Sequence, residues 1–186
     1  SGKQGYTIAE KLSSLGAHTT LISGPTKLSD PNVDKVVHVS SADEMMFECD
    51  KALPVNIAIC AAAVADYKVM KQSETKIKKN GSSLDITLEE NPDILSRLSK
   101  RNDKRPDLVV GFAAETEKLE ENSKIKLEKK GCDWILGNNV SNGQVIGKDT
   151  NEIHFISKSE TENWKQMRKE EVAEKLSHKI VQHLKS

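Results

Sequence analysis

Residues 55–63 read "VNIAICAAA", with Asn56 the one polar side chain among them. The run does not alternate, so a strand built from it would be buried on both faces. That is the pattern of a strand inside a parallel sheet with helices on either side. Two later segments have the same character, "DLVVGFAA" at 107–114 and "CDWILGNNV" at 132–140. Helical patterns separate them. "NPDILSRLSK" (91–100) predicts a helix with Asn91 as cap and Pro92 at its first position. "ETEKLEENSKIKLEKKG" (115–131) predicts a charged helix stopped by Gly131. Upstream, residues 5–15 carry Ile8, Ala9, Leu12 and Leu15 on one helical side, and Gly16 ends the pattern. "HTTLIS" (18–23) and "KVVHV" (35–39) are short strands on either side of the turn "GPTKLSDP". "SADEMMFECDKAL" (41–53) is a helix capped by Ser41, with Glu44 as capping-box partner. "EIHFIS" (152–157) is a late strand, and 169–184 form a closing helix with Val172, Leu176, Ile180 and Leu184 in line. The alternation predicts an α/β fold, a doubly wound and mostly parallel sheet. "SLDITL" (83–88) adds a small β element, at a sheet edge or in a hairpin. Residues 69–83, polar and lysine-rich, form a candidate flap.

The chain has 186 residues, enough for one domain with a real core. Lys and Arg number 28, and so do Asp and Glu. With no basic excess there is no global footprint for a nucleic-acid partner, and a polyanion would have to be met by local charge. No apolar run approaches membrane-spanning length. Cys49, Cys60 and Cys132 lie far apart without metal spacing and are read as reduced thiols of a cytoplasmic protein. The opening "SGKQGYTIAE" starts mid-motif, with no Met and no strand ahead of it, so the single domain is expected to be N-terminally incomplete.

Ligands of open α/β sheets bind beyond the carboxyl ends of the strands. That rule points to "AAAVADY", "GFAAET", "GNNVS" and the turn after "TLIS". In two of them Ala-Ala is followed by an acid, Asp66 and Glu115. Small side chains admit a flat ligand to the backbone, and the acid can take a ribose hydroxyl or a metal ion. Close helix–sheet packing would explain the same small residues. Lys76, Lys78 and Lys79 stand beyond a core strand where they can neutralise phosphate, with Lys76 the foremost candidate; a solvated charge run is the plain alternative. Lys126 and Lys130, spaced i, i+4, share a helix face, with Lys129 beside them. "SGKQG" opens a helix whose N–H groups can receive an anion, but it lacks the longer glycine spacing of a Walker loop. Asn138 and Asn139 are candidate ligand contacts, and turn chemistry explains them equally well. Cys60 reads as a small core residue, since no basic neighbour is visible to activate it.

Taken in order, "SGKQGYTIAE", "LISGPTKL", "AAAVADYKV", "KIKK", "NPDIL", "VGFAAET" and "NNVS" resemble the phosphopantothenoylcysteine synthetase family in its bacterial form, from the first residue to about Asn151. The resemblance implies a Rossmann-like fold and a ligase of coenzyme A biosynthesis. Such an enzyme joins 4'-phosphopantothenate to L-cysteine through an acyl-cytidylate formed with CTP, using Mg2+. Carried over by position, it makes Lys76 the catalytic residue, on a flap over the intermediate. Ser1, Gly2, Cys60, Ala61, Ala62, Asp66, Lys76, Pro92, Asp93, Ile94, Leu95, Phe112, Lys126 and Lys130 become nucleotide or phosphate contacts, with Asp66 also the Mg2+ candidate. It further implies a homodimer and an upstream flavin-dependent decarboxylase domain. The family's longer motif, "N-x-S-SGK-x-G", is only partly present, because its Asn lies ahead of the first residue.

Two rivals remain at this stage. A short-chain NAD(P)-dependent oxidoreductase would explain the opening helix and the Tyr67/Lys71 spacing. It would not explain "SGP" after the strand, "KIKK" or "NPDIL". A non-catalytic nucleotide-binding remnant would share every motif.

Overall fold

The computed structural model describes residues 1–70, 75–78, 81, 83–115, 117–139 and 150–185. Along the chain these form α1 (Lys3–Ser14), β1 (Thr20–Ser23), β2 (Lys35–His38), α2 (Ala42–Ala52), β3 (Ile57–Cys60), β4 (Tyr67–Val69) and β5 (Leu88–Glu90). There follow α3 (Ile94–Ser99), β6 (Leu108–Glu115), α4 (Leu119–Lys130), β7 (Trp134–Asn139), β8 (Thr150–Ser157), β9 (Thr161–Arg168) and α5 (Lys169–His183).

Two of the three apolar runs, β6 and β7, lie inside the sheet as expected; β3, expected to be buried on both faces, is instead its edge strand among the described residues, and its four residues are only half-buried. β3, β6 and β7 are parallel neighbours, and β8 and β9 continue the same sheet as an antiparallel hairpin, in the order β3-β6-β7-β8-β9. Helices cover both faces. On one side α1 and α5 close over Leu108, Val110, Trp134, Leu136, Ile153 and Phe155. On the other, Val109, Ala113, Ile135 and Ile156 pack with Leu127 of α4 and Leu95 of α3. β1 and β2 pair in parallel as a separate ladder. α2 attaches that ladder through a third cluster, in which Val39, Met45 and Met46 meet Ile94 and Leu98 of α3.

Three other readings needed correction. The cap of α3 is Asp93, whose side chain accepts from Ser96 N–H, rather than Asn91. Asn91 is occupied elsewhere: its backbone N–H donates to Asp66 O at 2.8 Å, and its side chain donates to Ala65 O at 2.9 Å. "SLDITL" joins a ladder only at its last residue, where β5 pairs antiparallel with β4. Glu44 caps α2 with a one-residue offset. Ser41 accepts from Glu44 N–H as predicted, but the Glu44 carboxylate accepts from Ser40 N–H and Oγ rather than from Ser41 N–H. These Ser40 bonds hold its carboxyl below the ordinary range.

β9 was not anticipated. Its sequence, "TENWKQMR", is polar, and Trp164 is its one fully buried side chain. Trp164 stacks on Phe155 at 5.7 Å, and its indole N–H donates to Glu162 at 2.6 Å. Lys179 of α5 closes on Glu162 at 2.6 Å and on Glu160 at 2.8 Å. Partial burial opposes ionisation of Glu162, but hydrogen bonds, that of Lys179 foremost, outweigh it and hold the carboxyl at about 2. A carboxyl held down in the folded state stabilises it above the ordinary value of 4.5, and that stabilisation fades as pH falls toward about 2. Wild type should therefore lose more melting temperature than Glu162→Gln between pH 5 and pH 2.5. Parallel curves for the two proteins would show that Glu162 carries no such linkage.

Candidate nucleotide site

The carboxyl ends of β6 and β7 lie side by side, Glu115 opposite Asn139, while β3 stops four residues short of the β6 end, with Cys60 opposite Gly111. Gly111 is glycine for close packing. A Cβ there would stand 2.5 Å from Leu95 Cδ2 and 2.9 Å from Ile135 Cδ1, so the start of α3 rests directly on the sheet. Gly137 does the same under α4, where a Cβ would collide with the Ser123 hydroxyl. The packing explanation for these small residues therefore holds inside the strands. At the strand ends the alanines behave differently: Ala62, Ala63 and Ala114 are exposed, leaving the backbone open to a ligand.

The α3/α4 side brings several predicted residues together. Lys130 donates to Asp93 Oδ2 at 2.5 Å, while Asp93 Oδ1 takes the Ser96 N–H at 3.0 Å. Partial burial works against ionisation of Asp93, yet these two bonds hold its carboxyl below the ordinary range. One turn earlier on α4, Lys126 Nζ stands 2.7 Å from Glu115 Oε1 at the end of β6. Glu115 was visible in the sequence as the acid after "GFAA", but the family resemblance assigned it no role. Ile94 and Leu95 turn their side chains into the core, so a ligand at "PDIL" meets backbone and Asp93. Asp66 is tied to the same region through the Asn91 N–H bond to its carbonyl, one residue before Pro92.

On the α1 side, Gly2 takes a left-handed conformation (φ 75°) at the head of α1, and Ser1 and Gly2 are exposed. The first turn of α1 passes the end of β3, since a Cβ on Gly5 would lie 3.7 Å from Ala61 Cβ. Asn138 sits in β7 rather than in a turn, with its Oδ1 buried and without a hydrogen-bond partner among the described residues; Asn139 follows as the last residue of that strand. Burial pushes the Cys60 thiol up to about 12, which fits a packing residue.

Not every candidate joins these groups. The Phe112 side chain packs with the α1/α5 cluster, on the opposite face from Lys126. Lys76 and Lys78 are exposed, while Lys71 and Lys79 lie outside the described residues, as does part of the expected flap. Tyr67 lies on strand β4, not on the helix an oxidoreductase would need. Asp66 is exposed, and among the described residues no group of three or more His, Cys, Asp or Glu is arranged to hold a metal ion. A single carboxylate remains compatible with Mg2+, which commonly binds one or two carboxylates together with substrate phosphates. No helix among the described residues is long and apolar enough to cross a membrane.

Comparison with known proteins identifies the family and the fold. The chain is 39% identical over 183 residues to the coenzyme A biosynthesis bifunctional protein CoaBC of Haemophilus influenzae, covering 98% of this chain and 46% of that protein. It is 36% identical over 178 residues to the protein of the same name from Borreliella burgdorferi, covering 94% and 45%. The chain thus spans about half the length of the curated relatives it matches. A crystal structure of the C-terminal domain of CoaBC superposes with a TM-score of 0.82 at 34% identity, over all of this chain and 84% of that one. By its match over residues 1–184, the chain belongs to the family described as the DNA/pantothenate metabolism flavoprotein C-terminal domain.

Proposed function

We propose that this chain is a phosphopantothenate–cysteine ligase of coenzyme A biosynthesis, joining 4'-phosphopantothenate to L-cysteine through an acyl-cytidylate formed with CTP. The observation that carries the reading is the pair of neighbouring α4 lysines, Lys126 on Glu115 at the end of β6 and Lys130 on Asp93 at the head of α3, in a member of this family. A carboxylate is a poor electrophile because its oxygen leaves badly, and joining it to CMP supplies a better leaving group. Two anions must approach each other at the α-phosphate, so cationic side chains are needed around it. Lys126, Lys130 and Lys76 are assigned that work. Mg2+, held by Asp66 and the phosphates of CTP, would supply further neutralisation. Ser1, Gly2 and the backbone of Cys60, Ala61 and Ala62 line the approach, and Pro92–Leu95 and Phe112 meet the nucleotide.

The exposed apolar side chains Tyr67, Leu84, Ile86 and Leu88, on and beside the β4–β5 ladder, support a homodimer through that arm. A cytoplasmic enzyme fused to a flavin-dependent decarboxylase completes the reading, in keeping with relatives named as bifunctional. The test is pyrophosphate release by the full protein with CTP, Mg2+, 4'-phosphopantothenate and L-cysteine. Release that requires 4'-phosphopantothenate, with product formation that also requires cysteine, is expected. CTP with Mg2+ should also raise the melting temperature, whereas NADP should not. CTP binding without pyrophosphate release would favour a nucleotide-binding remnant instead.

A further inference from the structure

Glu115 ends β6, and its side chain is 14% exposed, against 41% for Lys126. Lys126 Nζ approaches Oε1 to 2.7 Å, but off the hydrogen-bonding direction, so this solvent-shielded oxygen has no aligned donor among the described residues. Regular secondary structure places both members of the pair. Glu115 is fixed by the β6–β7 ladder, where it pairs with Asn139. The stem of Lys126 is fixed by α4, which Ser123 seats on Gly137. A lysine on a half-exposed helix face otherwise samples many rotamers, and ordering it when a ligand arrives opposes binding. A strand-end carboxylate removes part of that cost. It also places a negative charge where a polyanion would bind, which by Coulomb's law alone weakens binding. The two effects have opposite signs, so one experiment can separate them.

We propose that Glu115 is a positioning residue that holds the Lys126 ammonium beside the carboxyl ends of β6 and β7, ready for a nucleoside triphosphate. The ligand in this statement rests on the nucleotide reading above; the positioning rests on the ion pair.

Titration of CTP into wild type, Glu115→Ala, Glu115→Gln, Lys126→Met and Glu115→Ala/Lys126→Met by calorimetry tests it. Glu115→Ala is expected to weaken CTP roughly 5- to 10-fold although a negative charge has been removed. Glu115→Gln keeps an acceptor for Nζ but loses the charge of the ion pair, so its affinity should fall between wild type and Glu115→Ala. In the Lys126→Met background, Glu115→Ala changes nothing further. Equal or tighter binding by Glu115→Ala, or the same loss without Lys126, overturns the proposal. A second readout needs no nucleotide: reductive methylation with formaldehyde, mapped by mass spectrometry. Lys126 should react more slowly than the exposed Lys129 in wild type, and Glu115→Ala should erase the difference. If wild type fails to bind CTP, the nucleotide reading falls, and equal wild-type labelling of Lys126 and Lys129 then removes the positioning role as well.

Discussion

Turnover of Lys76→Gln should fall about 10²–10³-fold, the range seen when one preorganised electrostatic contact to a transition state is removed. The change is close to isosteric and keeps hydrogen-bond donors, so the loss isolates the positive charge. In the proposed reaction charge would matter most while the carboxylate of 4'-phosphopantothenate attacks the α-phosphate, so the effect should appear in kcat more than in KM. Lys76 is exposed, and substitution at such a position usually shifts stability by no more than about 0.5 kcal/mol. Single-turnover pyrophosphate release with a melting curve on the same sample checks both halves. Wild-type turnover in the variant would remove Lys76 from the chemistry.

Trp164→Ala is the largest expected change in stability. The side chain is 1% exposed, lies nearly parallel to Phe155 with 6° between the rings, and has Lys175 Nζ 4.7 Å from its ring centre. Truncating a buried aromatic costs about 3–5 kcal/mol through lost burial and the cavity left behind. At about 2–4 °C per kcal/mol for a chain of this size, Tm should fall by roughly 6–20 °C. Trp164→Phe keeps most of the ring contact and loses the indole bond to Glu162, so it should fall by less. If Trp164→Ala melts within a degree or two of wild type, β9 does not belong to the cooperative core.

The two predictions divide along the line between what the residues reveal and what they hide. "DLVVGFAA" and "CDWILGNNV" announce themselves because strands buried on both faces must be apolar throughout, while "VNIAICAAA" shows the same signature and yet forms a half-buried edge strand. Ser41 announces α2 because few residues satisfy a free helix N–H so well. β9 gives no such signal: it is an edge strand whose burial rests on one tryptophan. Asn91 looks like the better cap, but tertiary bonds to Ala65 and Asp66 claim it, and Asp93 takes the place. At the site, composition offered strand-end alanines and acids without deciding between packing and binding. In the fold they divide, with Gly111 and Gly137 packing helices while Ala62, Ala63 and Ala114 stay open. The partners of the lysines are set by the height of α4 over the sheet, which no local pattern encodes. So the Lys126–Glu115 pair could not be read from spacing, although each residue was noticed separately.

Phe112 and Glu115 are three residues apart on one strand and so project to opposite sides of the sheet. Any molecule that touches the Phe112 ring and the Lys126 amine together has to hook over the rim of β6 like a saddle clip, with one limb on each side. Recognition would then depend on the thickness and tilt of that rim. Lengthening β6 by one residue at its open end would obstruct the clip without altering a single contacting side chain.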